Sequence, residues 1–236
     1  MNTLFVETSV SRDIFKTIDL AIELKKNAAI VGRPGIGKTH SIIAYQERSS
    51  GCAIAMTVTA VTGNALRDLL LAVAESLNIH VSGSIANMQR QMHHYDFTGR
   101  VLIIDESQNL KLQAFRELLH LHDFTGLCLI FCGNEEVLKR VNTDKGAFAQ
   151  ISRRVPLRAA VNTILDEDVD KISSAFGVEG MEAFKILRNL GRAYHTDGVV
   201  SVLEIARRFA GEKKTINADH IRRASAPLPH YRRALG

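Results

Sequence analysis

Four short apolar runs punctuate the first half of the chain, and none of them alternates with polar residues. They are Ala28–Val31, Cys52–Thr59, Val101–Ile104 and Leu127–Cys132. Unbroken runs of this kind are expected of strands buried on both faces, where each side meets apolar neighbours. Between the runs the spacing turns helical. Ile14, Ile18, Ala21 and Leu24 form one stripe, ahead of the first run. Leu66, Leu69, Leu70, Val73 and Leu77 form another, with Asn64 placed to cap its start. Leu112, Phe115, Leu118, Leu119 and Leu121 form a third, after the third run. Strands that alternate with helices predict an α/β fold, a parallel sheet layered between helices.

Past about residue 166 the strand pattern stops. Asp166 is placed to cap a helix through Val169, Ile172 and Ala175, and Gly177 to end it. A second helix carries Met181, Phe184, Leu187, Leu190 and Tyr194, and a third carries Val199, Val202, Leu203, Ile205 and Phe209. Asn217 caps a fourth through Ile221. The expected organisation is an α/β domain over residues 1–165 and a small helical bundle with a basic tail over 166–236. The segment from Pro227 to Gly236 reads as irregular. The chain has no internal repeat.

Composition narrows the function classes modestly. Aromatics are 6% of the 236 residues and Trp is absent, which argues against an aromatic stacking platform for single-stranded nucleic acid. The net charge of +5 permits a polyanionic partner without demanding one. Basic residues come in pairs, at Arg153-Arg154, Arg207-Arg208, Lys213-Lys214, Arg222-Arg223 and Arg232-Arg233, and a solvated helix face explains such a pair as well as a ligand does. Cys128 and Cys132 are four residues apart on one strand, about 13 Å, too far for a disulfide. No apolar run reaches the length of a membrane span, and the expectation is a cytoplasmic protein that does not engage membranes.

Chemistry enters with Gly32-Arg33-Pro34-Gly35-Ile36-Gly37-Lys38-Thr39, which matches the phosphate-binding loop pattern without a gap. The glycines let main-chain N–H groups turn inward onto an anion, and the following helix points its positive end at the same place. Lys38 is assigned to the β and γ phosphates of ATP and the Thr39 hydroxyl to Mg²⁺. The nucleotide-binding set is Gly32, Pro34, Gly35, Ile36, Gly37, Lys38, Thr39 and His40. The third apolar run ends in Asp105-Glu106, so a buried strand delivers two carboxylates to the sheet's edge. Asp105 is the second metal residue, and Glu106 the base that polarises water. Asn134, after the fourth run, either senses the terminal phosphate or caps the helix Glu135 to Val141, and spacing leaves both open. Arg153 and Arg154 follow the mobile-looking stretch Asn142 to Gly146. His93 and His94 lack any carboxylate or Cys at ligand spacing and read as surface residues.

In order, GRPGIGKT, LIIDES, FCGN, SRR and a helical bundle resemble the AAA+ class of P-loop ATPases. More narrowly the chain is similar to the transposition ATPases typified by the phage Mu B protein, with TnsC-like regulators as relatives. Phe5-Val6-Glu7-Thr8 ahead of the loop adds to that likeness, which extends to about Ala224. The resemblance implies a helical lid over the C-terminal segment, with Asn134 as first sensor and Arg154, or next Arg153, as the arginine that reaches a neighbouring subunit. It also implies ATP-dependent filaments on double-stranded DNA, sequence-nonspecific binding, and recruitment of a transposase. Ser201 stands where the family carries a second-sensor Arg, leaving Arg207 or Arg208 to substitute or the lid to contribute less. No counterpart of the family's N-terminal helix-turn-helix is expected, so DNA contact is expected from the ATPase domain. The candidates are Thr62 to Asn64 and the linker from His80 to Arg90, through Ser82, Ser84, Gln89 and Arg90. A helicase loader or initiator, or a nucleotide switch in signalling or secretion, are the alternatives.

Overall fold

A computed structural model describes residues 5–141, 149–211, 215–228 and 230–231. The order of elements begins α1 Ser9–Leu24, β1 Ala28–Gly32, α2 Lys38–Arg48, β2 Ala53–Thr57, α3 Ala60–Asn64, α4 Leu66–Ser76 and α5 Ile85–Met92. It continues β3 Val101–Asp105, α6 Leu112–Thr125, β4 Cys128–Gly133, α7 Glu135–Val141, α8 Ala149–Arg154 and β5 Leu157–Val161. The last elements are α9 Asp166–Ala175, α10 Met181–Ala210 and α11 Ala218–Ser225. Every strand pairing is parallel, and the sheet order is β2-β3-β4-β1-β5.

All four apolar runs became strands, and β1, β3 and β4 are buried along their whole length. Alternate side chains of these strands go to opposite faces. Ala29, Val31, Leu102, Ile104, Leu129 and Phe131 join the core formed with α4, α5 and α6, where Phe115 meets Phe131 at 4.6 Å between ring centroids. On the other face the Cys128 thiol lies 3.6 Å from the Ala21 carbonyl of α1, and Phe15 of α1 packs on Tyr45 of α2. The three cysteines are free.

A fifth strand, β5, was not legible. Only Val161 in it is fully buried, and Arg158 interrupts its apolar character. It is an edge strand, and its continuous pairing with β1 from Leu157 to Val161 defines it. Two caps also differ from expectation. Thr59 and Thr62 exchange side chain–main chain bonds that nucleate α3, so Asn64 ends that helix and Ala65 opens α4 without a side-chain cap. Asp166 is the first residue of α9, preceded by Leu165, whose N–H is taken by the Asp168 carboxylate at 3.2 Å. The part of the His80–Arg90 linker from Ile85 onward is helical, in α5.

By contacts the chain divides into two compact units. One is drawn from Asp13–Arg33 and Thr39–Val161, the other from Met1–Arg12, Pro34–Lys38 and Asn162–Gly236. In the second unit α10 contains a break at His195 (φ 58°, ψ −158°), which separates the two expected helices. Arg188 and Arg192 of α10 pair with Asp170 and Asp166 of α9. Asn217 caps α11, accepting from the His220 N–H at 3.0 Å. The Ser9 N–H and hydroxyl both donate to Asp168, at 2.8 and 2.5 Å, so one buried carboxylate serves the starts of α1 and α9. The stretch Asn142 to Gly146, Lys213-Lys214, Arg232-Arg233 and most of the tail lie outside the described residues. Among the described residues no helix is long and apolar enough to cross a membrane.

Asn27, 1% exposed, ties three chain segments at the base of the sheet. Its carboxamide donates to the Arg154 carbonyl at 3.0 Å and accepts from the Leu129 N–H at 2.9 Å. Asn27→Ala strands the buried Leu129 N–H and removes the donor to the partly buried Arg154 carbonyl, and is expected to cost about 1–3 kcal/mol of unfolding free energy. Urea denaturation reads this directly; a loss below about 0.5 kcal/mol would refute the tie.

Candidate functional site

The apolar strand β1 runs to Gly32, where the residue must be glycine because a Cβ would overlap the Val161 carbonyl of β5. The chain then turns through Gly35 (φ +75°) and Gly37 (φ +101°), conformations that side-chain-bearing residues rarely hold, and enters α2 at Lys38. Ile36 is buried and anchors the loop, while Pro34 and His40 are exposed. Within the second unit two further bonds fix the loop's main chain. The Asp197 N–H donates to the Gly35 carbonyl at 2.9 Å, and the Thr196 hydroxyl to the Ile36 carbonyl at 3.1 Å. Both donors come from the break in α10, and nothing in the sequence pattern signalled them.

Thr39, in the first turn of α2, donates its hydroxyl proton to Asp105 Oδ2 at 2.6 Å. The partner is the last residue of β3 and only 3% exposed, and its other oxygen accepts from the Glu106 N–H at 2.9 Å. Thus the structure joins the loop's hydroxyl to the first of the two acids. Glu106 has left-handed backbone angles (φ 57°, ψ 35°), disfavoured for a residue with a side chain and common where geometry serves a site. Its carboxylate accepts from the Gln108 carboxamide, whose oxygen takes the Asn134 N–H at 3.3 Å. The sequence reading passed over Gln108; its position two residues after the acids was the only available signal.

Asn134 Oδ1 accepts from the Glu136 N–H at 2.9 Å, a capping bond at the start of α7. Arg154 is paired with Asp123 at 3.1 Å, both side chains about 40% exposed, while Arg153 is exposed with no ion pair among the described residues. Ser201 lies in α10 beside Tyr231, whose hydroxyl also reaches Asp197 at 3.2 Å. Burial and the Asp197 carboxylate push that phenol above its ordinary pKa. Arg207 and Arg208 are exposed in the last turn of α10, roughly 9 Å or more along the axis from Ser201.

The candidate DNA residues divide into two groups. Thr62 is in α3, bonded to Thr59. Ser82 to Arg90 occupy a loop and α5, held by Arg67 on the Gly83 carbonyl at 2.5 Å and by Gln91 on Ser82. Ser84 caps α5 through the Asn87 N–H at 3.3 Å, Gln89 donates to Glu117, and Arg90 to Asn87. His93 stacks on Phe124 at 4.1 Å, and burial lowers its pKa. No group of three or more metal-ligating side chains exists among the described residues.

A parallel sheet with a glycine-rich loop after β1, a hydroxyl at the head of α2 and an acid pair after β3 defines the α/β P-loop fold of the AAA+ class. The chain belongs to the AAA domain family, whose model matches residues 22–141, just over half of it. It is 25% identical to the ATP-dependent target DNA activator B of Escherichia phage Mu, over 95% of this chain and 73% of that protein. It is 28% identical to the Mu-like prophage FluMu DNA transposition protein B of Haemophilus influenzae, over 79% of this chain and 66% of that one. These relatives bear out the Mu B resemblance. Among solved structures, the ORC2 protein of Aeropyrum pernix matches with a TM-score of 0.71 at 15% identity, over 96% of this chain and 69% of that one. RuvB of Thermotoga maritima matches at 0.61 and 14%, over 95% and 70%. Both likenesses are of fold.

Thr39→Val keeps the side chain's shape and removes the hydroxyl, leaving the buried Asp105 without that donor. A loss of about 1–3 kcal/mol in stability is expected, together with loss of the magnesium-dependent part of ATP's thermal stabilisation. Thermal melts with ATP, with and without magnesium, test both; an unchanged magnesium response would separate Thr39 from any metal role.

Proposed function

We propose that this protein binds ATP with Mg²⁺ in the loop Gly32–Thr39, hydrolyses it, and couples that cycle to assembly on double-stranded DNA in the service of transposition. The observation that carries the reading is the Thr39–Asp105–Glu106 arrangement: a hydroxyl and a buried carboxylate bonded at 2.6 Å, with a second carboxylate next along the chain. The relatives named for target DNA activation and DNA transposition supply the biological direction.

Hard oxygen donors at the head of a helix suit a magnesium ion, and the Thr39 hydroxyl with the Asp105 carboxylate would hold it, directly or through water. When bound it would screen the charge of the terminal phosphates. Lys38, next to Thr39 in the chain, adds a positive charge for the phosphates, and the loop's main-chain N–H groups bind phosphate oxygens. Glu106 then accepts the proton of the attacking water, and Asn134 positions that water through its carboxamide NH₂. Arg154 reaches a neighbouring copy after leaving Asp123, with Arg153 as the other candidate, so turnover depends on oligomers. Thr62, Ser82, Ser84, Gln89 and Arg90 offer hydroxyl, amide and guanidinium groups suited to the DNA backbone. A transposase is the partner this assembly would recruit to target DNA.

Glu106→Gln is expected to retain ATP and to lock the protein on linear duplex DNA, visible as filaments by negative-stain microscopy, while Lys38→Ala fails to assemble. Binding should weaken steeply with salt and depend little on sequence. Absence of any duplex binding at low salt with ATP and magnesium present would sink the DNA part of the reading. Normal turnover in Glu106→Gln would remove the base.

For the intersubunit arginine, Arg154→Ala alone is expected to lower turnover by about 10³-fold or more. Mixing it with Glu106→Gln protein, which assembles and keeps Arg154 but lacks the base, should restore part of the activity, because each variant supplies the half-site that the other lacks. Full turnover by Arg154→Ala would take that role away.

A further inference from the structure

The turn Ser107–Asn109 is pinned to three strand ends by three consecutive side chains. Ser107 Oγ donates to the Ile104 carbonyl of β3 at 2.6 Å, and Asn109 Nδ2 to the Val58 carbonyl just past β2 at 2.7 Å. Those two bonds already hold the turn. Gln108, between them, spans from the Glu106 carboxylate to the N–H of Asn134, just past β4, with its oxygen accepting at 3.3 Å. The orientation of its carboxamide follows from chemistry alone. A main-chain N–H only donates and a carboxylate only accepts, so the oxygen must face Asn134 and the NH₂ must face Glu106.

Gly133 makes this possible, since a Cβ there would overlap the Gln108 oxygen. The two ends of a planar carboxamide are fixed relative to each other, so a shift of the β4 end is passed to the carboxylate. Glu106 would otherwise rotate in solvent at its half-buried position. Building on the reading of Glu106 as base, we infer that Gln108 is a positioning residue for hydrolysis, a strut that sets the Glu106 carboxylate against the end of β4. It acts through Glu106 and does not itself touch substrate. Misplacing a catalytic group by about an ångström lowers turnover by up to roughly 10²-fold without weakening substrate binding in proportion.

Two variants separate a strut from a packing residue. Gln108→Met keeps the volume and loses both bonds; Gln108→Glu keeps the oxygen toward Asn134 and sets a second carboxylate against Glu106. Each is expected to lower kcat for ATP by about 10- to 100-fold, with KM and the Kd for ATP within about twofold of wild type and melting temperatures showing folded protein. Gly133→Ala should displace the carboxamide and lower kcat likewise, and combined with Gln108→Met it should be no slower than Gln108→Met alone. Wild-type kcat in folded Gln108→Met, a loss that appears in KM instead, or losses that multiply in the double variant would each overturn the strut. The Glu106→Gln protein is the control. If it turns over normally, the base assignment fails and the strut with it; if it is inactive while Gln108→Met is normal, only the strut fails.

Discussion

A single short hydrogen bond, from the Thr39 hydroxyl to Asp105, joins two pieces of chain that lie 66 positions apart. The sheet order makes that bond demanding. Strand β4 lies between β1 and β3, so the head of α2 must reach across about two strand spacings, nearly 10 Å, to meet the end of β3. Between them β4 finishes at Gly133, where a Cβ would overlap the Gln108 oxygen. Thr39, the two acids and the residue after β4 therefore form one arrangement set by the parallel register of three strands.

Much of this was legible in the amino-acid sequence, for a physical reason. Strands buried on both faces have no polar alternation to blur them, so β1, β3 and β4 announced themselves. The glycines of the loop likewise have a conformational purpose that no other residue serves. What escaped was decided by tertiary pairing. β5 has an edge strand's mixed pattern and exists through its bonds to β1. Asn64 looked like a helix cap until Thr59 and Thr62 nucleated a short helix ahead of it. Thr196 and Asp197 reach the carbonyls of Ile36 and Gly35 from some 160 residues away, a closeness that no local periodicity encodes.

The alternatives that spacing left open also narrow in physical terms. Asn134 was read as a sensor or a cap, and a carboxamide has two ends. Its oxygen caps α7, and that bond uses neither donor of the NH₂, so the two readings do not compete. The arginine pair divides instead by environment, with Arg154 matched to Asp123 and Arg153 exposed. An exposed ion pair of this kind is worth at most about 1 kcal/mol, so a phosphate with several negative charges would displace the carboxylate at little cost.

Strain and unpaired capacity gather at the same edge of the sheet. Glu106 sits in a left-handed conformation that costs of order 1 kcal/mol, immediately after a buried carboxylate whose neighbours are one hydroxyl and one N–H. A fold selected only for stability would favour a glycine at 106 and an apolar residue at 105, since the strand before them is apolar throughout. Two acids there make sense under the proposed function, in which the place receives positive charge and a reacting water. With Glu106 as the proposed base, the three-point attachment of the turn that follows has the same logic, because a base is useful only when its direction is set before the substrate arrives.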